Sequence, residues 1–183
     1  SYFDSQQVDN AMEAYQKRAE LGGWEEEAYY SLFRVAICSV LKDDPWETIQ
    51  QKFLDAYAYR PLRAEPLHQL SRLYRQAGKM NHAYIFAQRA SQIAYPQHDI
   101  LFISDDVYKW QSLDELAATA FYSHDWVGGH LACKKLIDGK LLPDSEKERV
   151  SSNLKMYEQK LNEMKKQQFE EQQRKHQHEL VHK

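Results

Sequence analysis

One 34-residue frame recurs three times in this chain, and no other feature limits its fold so strongly. Starting the units at Tyr30, Ala64 and Trp110 makes the first two contiguous and sets the third off by twelve inserted residues. Small and apolar residues then coincide down the register. Phe33, Leu67 and Leu113 align, as do Ala36, Leu70 and Leu116, and then Val40, Tyr74 and Ala120. In the second half of each unit Ile49, Ala83 and Gly129 fall together, followed by Phe53, Ala87 and Cys133, and by Ala56, Ala90 and Leu136. This period and spacing are the tetratricopeptide signature, in which each unit is a pair of antiparallel helices and units stack into a solenoid. The middle unit is the clearest, with Leu67, Leu70, Ser71 and Tyr74 in the first-helix slots and Ala83 and Ala87 in the second. The expected fold is all-α: about three such hairpins, a leading half-unit and a long C-terminal capping helix.

Turn and cap residues place the helices. Asp9 is a candidate N-cap for a first helix over 9–21, which Gly22 and Gly23 stop. A second helix over 25–42 opens on Glu25, Glu26 and Glu27, favourable at the positive end of the helix dipole. Asp44-Pro45-Trp46-Glu47 reads as a cap, a proline at the first helical position and a capping box. Further helices are expected from there to Tyr59, then over 64–77, 79–93, 107–123 and 125–138. Residues 94–107 interrupt the rhythm, and Ile100-Leu101-Phe102-Ile103 reads either as a short extended segment or as an insertion whose apolar side chains tuck onto the helices. Asp105 and Asp106 read as a helix-capping turn, with a divalent cation as the alternative. Ser145 and Glu148 fit a capping box for the last helix.

That helix changes character along its length. Val150, Leu154, Tyr157, Leu161 and Met164 form one stripe at helical spacing, suited to covering the preceding helix. Beyond Met164 the stripe fades into Lys, Gln, Glu, Arg and His. The chain therefore divides into a repeat domain, 1–164, and a polar helical tail, 165–183, expected to fray.

Composition narrows the function classes. Hydrophobic residues make up 43% of the chain and aromatics 13%, enough for a core. A net charge of −3 gives no whole-chain case for nucleic acid. Cys38 and Cys133 lie inside apolar helical patterns and read as buried free thiols, with a cytoplasmic location as the expectation. No apolar run has the length of a membrane span. A start at Ser1, with neither Met nor a leader, reads as a piece of something longer.

The sharpest catalytic motif is His178-Glu179-Leu180-Val181-His182, the spacing of a zinc metalloprotease helix. It sits in the polar tail without the third ligand and walls that such a site needs, so its reading is adventitious metal binding, with His176 as a third donor. No catalytic residue, structural metal or cofactor is assigned. The groove between repeats is the better candidate. The first helix of each unit would line it with Arg34, Lys42, Glu65, His68, Arg72, Arg75, Asp114 and Tyr122. Arg34, Arg72 and Arg75 would form a basic strip suited to carboxylate or phosphate. A second candidate is the dense cluster of Tyr57, Tyr59, Arg60, Arg63 and Glu65 around Pro61 and Pro66, since aromatic and Arg residues anchor interfaces. Its alternative reading is charged groups paired across the turn and tyrosines packed between repeats.

Four blocks carry a family resemblance: Arg18-Ala19-Glu20-Leu21-Gly22-Gly23-Trp24-Glu25-Glu26-Glu27, Tyr57-Ala58-Tyr59-Arg60-Pro61-Leu62-Arg63-Ala64-Glu65-Pro66-Leu67, Asp105-Asp106-Val107-Tyr108 and Leu113-Asp114-Glu115-Leu116. Over roughly residues 11–160 the chain resembles the helical repeat region found behind family-two glycosyltransferase domains, mostly bacterial. The resemblance implies a non-catalytic docking scaffold beside a nucleotide-sugar-using domain, whose acidic metal-binding motif is missing from these residues. It would position a glycosyl acceptor, a partner or a sister subunit. The alternative is a stand-alone adaptor that binds an acidic peptide or protein partner in its groove. Neither reading fixes the oligomeric state.

Overall fold

The computed structural model describes the backbone of residues 2–181 and the side chains of residues 6–177. The fold is all-α, with no strand among the described residues. Among the described residues eight helices follow one another: α1 (Tyr2–Leu21), α2 (Glu25–Leu41), α3 (Trp46–Tyr59), α4 (Glu65–Gln76), α5 (Met80–Ser91), α6 (Ser112–Thr119), α7 (Trp126–Asp138) and α8 (Asp144–Val181). A π-helical turn, Val107–Gln111, leads into α6. Each helix packs against the next in the chain, and α4 also touches α6 across one intervening helix.

The repeat frame identifies the core. Ala36, Phe53, Ala56, Leu70, Ala83, Ala87, Ala120, Cys133 and Leu136 are sealed from solvent, with Ala90, Tyr74 and Ile49 nearly so. Small residues stand where helices approach most closely. Gly129 is the extreme case, because a Cβ there would lie 2.1 Å from the Tyr157 ring of α8. Tyr157 and Val150 are fully buried, so the apolar stripe of α8 does cover α7. The Tyr157 hydroxyl donates to the Ala117 carbonyl at 2.8 Å and ties α8 to α6 as well.

Several expected caps take other roles. Nothing between Tyr2 and Val8 breaks a helix, so α1 begins well before Asp9. Asp9 instead pairs with Lys42 at 2.6 Å. Pro45 itself is the N-cap of α3, and the Asp44 carboxylate accepts from the Ser39 hydroxyl rather than from the helix end. α8 begins at Asp144, which places Ser145 inside the first turn and removes the capping box. Asp105 accepts from the Tyr95 hydroxyl at 3.0 Å, and the Asp106 side chain makes no cap bond. Beyond Met164 the helix continues through Val181, and residues 165–177 are all exposed. The side chains of the His178–His182 motif lie outside the described residues.

The insertion meets the expectation of apolar side chains tucking inward only in part: Leu101 and Ile103 are half-buried, but Ile100 is 80% exposed and Phe102 63%. Polar clamps hold the backbone instead. Glu26 of α2 accepts from the amides of Ile100 and Leu101 at 2.8 and 2.7 Å. Arg63 donates to the carbonyls of Leu101 and Phe102. The Phe102 ring packs at a tilt against Tyr30 with centroids 4.5 Å apart, and Tyr95 meets Tyr108 edge-on.

Candidate functional site

Two Arg-rich groups stand at opposite ends of one short helix, α4. The first is built by the segment that enters the helix. Pro61 stops α3, and the following turn directs Arg63 and Glu65 inward. Arg63 is only 1% exposed and Glu65 2%. Arg63 donates to Glu65 at 2.7 Å and to Asp99 at 3.3 Å. Arg60 forks onto Asp99 with bonds of 2.8 and 2.5 Å. Glu65 also accepts from the Tyr108 hydroxyl at 2.6 Å and the Ser104 amide at 3.2 Å. The Arg63 guanidinium lies over the Tyr29 ring, 4.7 Å from its centroid.

Electrostatics follow from this packing. Burial and the Glu65 carboxylate raise the Tyr29 and Tyr108 hydroxyls well above the ordinary phenol range, so both remain hydrogen-bond donors. Hydrogen bonding from Arg60 holds the Asp99 carboxyl below its usual range. Each acid and base in the group has its partner inside the fold. Of the remaining members of the sequence cluster, Tyr57 accepts from Arg89 at 3.0 Å and links α3 to α5, and Tyr59 is exposed. The cluster is thus a strut that fastens the insertion to α2 and α4.

The second group lines a cavity of about 330 Å³ between α4, the π-helical turn, α6 and the start of α8. α4 contributes His68, Arg72 and Arg75, which share one face at helical spacing. The turn and α6 contribute Trp110, Gln111, Asp114, Glu115 and Ala118, again one face. α8 contributes Glu146 and Arg149. The π turn sets where that second face points, and such single turns are frequent at functional sites.

Part of this wall is already paired. Arg75 grips Glu115 bidentately at 2.7 and 2.9 Å, joining α4 to α6. Arg149 bridges Asp114 at 2.8 Å and Glu146 at 2.7 Å, joining α6 to α8. The rest is open. Arg72 is exposed and makes no ion pair among the described residues. His68 Nδ1 and Asp114 Oδ1 are recessed in the wall with no hydrogen-bond partner. A buried polar atom left alone costs about 1–3 kcal/mol, and native folds keep such atoms few. Burial drives the His68 imidazole down to about 4, so it is neutral at physiological pH. Burial also raises the Asp114 carboxyl, with the bond from Arg149 acting against it.

The structure therefore brings four of the eight predicted groove residues, His68, Arg72, Arg75 and Asp114, into one cavity, whereas Glu65 belongs to the buried entrance group and Lys42 pairs with Asp9. Arg34 lies elsewhere, its guanidinium 5.6 Å over the Tyr15 ring. Tyr122 is 55% exposed beside Phe121 and does not reach the cavity. A continuous strip of three arginines is not formed, because Arg34 is turned to α1 and Arg75 is consumed by Glu115. Trp110, Gln111, Glu146 and Arg149 were not singled out by sequence reasoning. For Arg149 the one available signal is its place beside Val150, at the edge of the buried stripe of α8. Cys133, deep in the core, has its thiol pushed up to about 12 by burial and is no nucleophile. Among the described residues no three His, Cys, Asp or Glu side chains gather as a metal site, and no helix is long and apolar enough to cross a membrane. Comparison of the chain with protein-family models, curated proteins and solved structures finds no match.

Proposed function

We propose that this chain is a tetratricopeptide-like solenoid acting as a non-catalytic binding scaffold, with the cavity between α4, α6 and α8 as its ligand site. The burial of the repeat-frame positions and the packing of helices in chain order support the solenoid reading. One observation carries the site. Arg72 stands unpaired at a cavity whose wall also holds two polar atoms without partners, while the Arg60–Arg63–Glu65–Asp99 group nearby is fully partnered. Open hydrogen-bonding capacity beside a concavity is what a ligand site offers.

The setting we favour is the accessory repeat region of a glycosyltransferase-like protein. Three of the four sequence blocks behind that resemblance are bonded to one another: Arg60 donates to Glu25, and the Tyr108 hydroxyl donates to Glu65. In the fourth block Asp114 and Glu115 join α6 to α8 and α4 through Arg149 and Arg75. The scaffold would hold an acceptor or a partner while a linked domain performs the transfer. An acidic-peptide adaptor is the second reading, and the free guanidinium of Arg72 is what favours it.

The test is a titration of the purified chain with acidic peptides and with oligosaccharides, wild type against Arg72→Ala. The proposal expects saturable binding of one class, at least tenfold weaker in the variant, with no turnover of nucleotide sugars by the chain alone. Nucleotide-sugar turnover by this chain, or binding indifferent to Arg72, contradicts it.

A further inference from the structure

The charges around the cavity restrict what it can hold. Arg72, Arg75 and Arg149 face Asp114, Glu115 and Glu146, three cations against three anions. His68 adds no charge at physiological pH, being neutral down to about pH 4. A ligand with a net negative charge would meet three carboxylates, and two of the three guanidinium groups are already spent on them. A cationic ligand would meet three guanidinium groups. Like charges brought together in a partly dry site repel strongly, so the balance disfavours either extreme.

The open positions are of mixed polarity. Asp114 Oδ1 needs a donor, and Arg72 needs an acceptor. His68 Nδ1 takes either partner, according to which ring nitrogen carries the proton. A hydroxyl donates and accepts through a single atom, where a carboxamide needs two separate ones. Several hydroxyls on one rigid frame would satisfy all three positions together. Trp110, half-buried in the wall, adds a flat apolar surface for the carbon face of such a frame.

We infer that the cavity binds a neutral, hydroxyl-rich ring, the sugar unit of an oligosaccharide, through Arg72, His68, Gln111 and Asp114, with Trp110 against the ring face. This rests on the cavity being the ligand site of the scaffold, and it names what that site takes.

The experiment is calorimetric titration of the full chain with a panel of neutral oligosaccharides: malto-, manno- and chito-oligosaccharides. Acidic peptides and uronic-acid oligosaccharides form the second arm. At least one neutral oligosaccharide should bind, with an affinity that barely changes between low and high salt, since no ion pair forms. Arg72→Ala and Asp114→Asn should each weaken that binding at least tenfold. Arg72→Ala removes an exposed side chain with no ion-pair partner among the described residues, so it keeps the test valid if Asp114→Asn loosens the Arg149 contact; thermal melts monitor both. Binding confined to acidic peptides or uronic acids, strongly salt-dependent and lost in Arg72→Ala, overturns the sugar inference while leaving the cavity as the binding site. Silence across both arms overturns the inference and the site together.

Discussion

The entrance to α4 and its exposed face carry similar residues in opposite states. At the entrance Arg60 and Arg63 meet Asp99 and Glu65 in a group sealed from water, where each charge is answered. On the face, about two helical turns further, Arg72 has no ion-pair partner among the described residues, and His68, with Asp114 of the facing α6, keeps an unpartnered polar atom. Both regions look like anchors for a partner when judged by residue type. Saturation separates them, since a group that has spent its hydrogen bonds on the fold has little left for a ligand. The insertion decides the matter, because it supplies Asp99 and two carbonyls to the first group and nothing to the second.

The largest expected effect of this contrast lies at the entrance. Arg63→Ala leaves Glu65 and Asp99 buried without their shared cation, and breaking such a group costs about 3–5 kcal/mol. Urea or thermal melts should show that loss, whereas Arg72→Ala should leave the midpoint unchanged. Equal losses at both residues would erase the distinction. Next in size is the close contact under the capping helix. Gly129→Ala drives a methyl into the Tyr157 ring and should cost about 1–3 kcal/mol, as should Ala87→Leu at the sealed contact in α5. A melt unchanged by either would mean that the repeat frame is placed wrongly.

The acid limb of stability gives a subtler reading. The folded Asp99 carboxyl lies below its ordinary value, so its contribution is complete above the unfolded value of about 3.9 and is lost as pH falls through the folded one. Asp114 behaves oppositely: its folded value is raised, so stability declines as pH climbs from the ordinary carboxylate range through that raised value. Asp99→Asn should flatten the acid limb, and Asp114→Asn should remove the decline above it. Midpoints followed against pH check both signs. The smallest effect belongs to the tail. Residues 165–177 bury nothing, so truncation after Met164 should leave the melting temperature nearly unchanged, and a large drop would show that the tail packs against something.

How legible this was in the sequence depends on which interaction holds each part. The helical core was readable, because Ala36, Leu70, Ala83, Ala87 and Leu136 fall at fixed places in the apolar pattern and are all sealed from solvent. Caps were readable only in part. Asp9 and Asp44 have side chains that suit a cap or another polar partner equally well, and Lys42 on a different helix and Ser39 in the preceding turn settled the choice. The insertion was misjudged because four apolar residues in a row suggest burial, whereas the carboxylate of Glu26, seventy-four residues from Ile100, holds the segment by its amides. Arg149 joins the cavity through a fold-level contact of α8 with α6, which local spacing does not encode.

The central claim is that the unsaturated face of α4 is the binding surface and the saturated entrance is not. Amide and side-chain chemical shifts of the isotope-labelled chain, followed during titration with the same oligosaccharide and acidic-peptide panel, test it most directly. The account predicts shifts gathered at His68, Arg72, Trp110, Gln111 and Asp114, with Arg63, Glu65 and Tyr108 unmoved. Shifts centred on Tyr57, Arg60 and the insertion, or none at the cavity with any ligand of the panel, would contradict it.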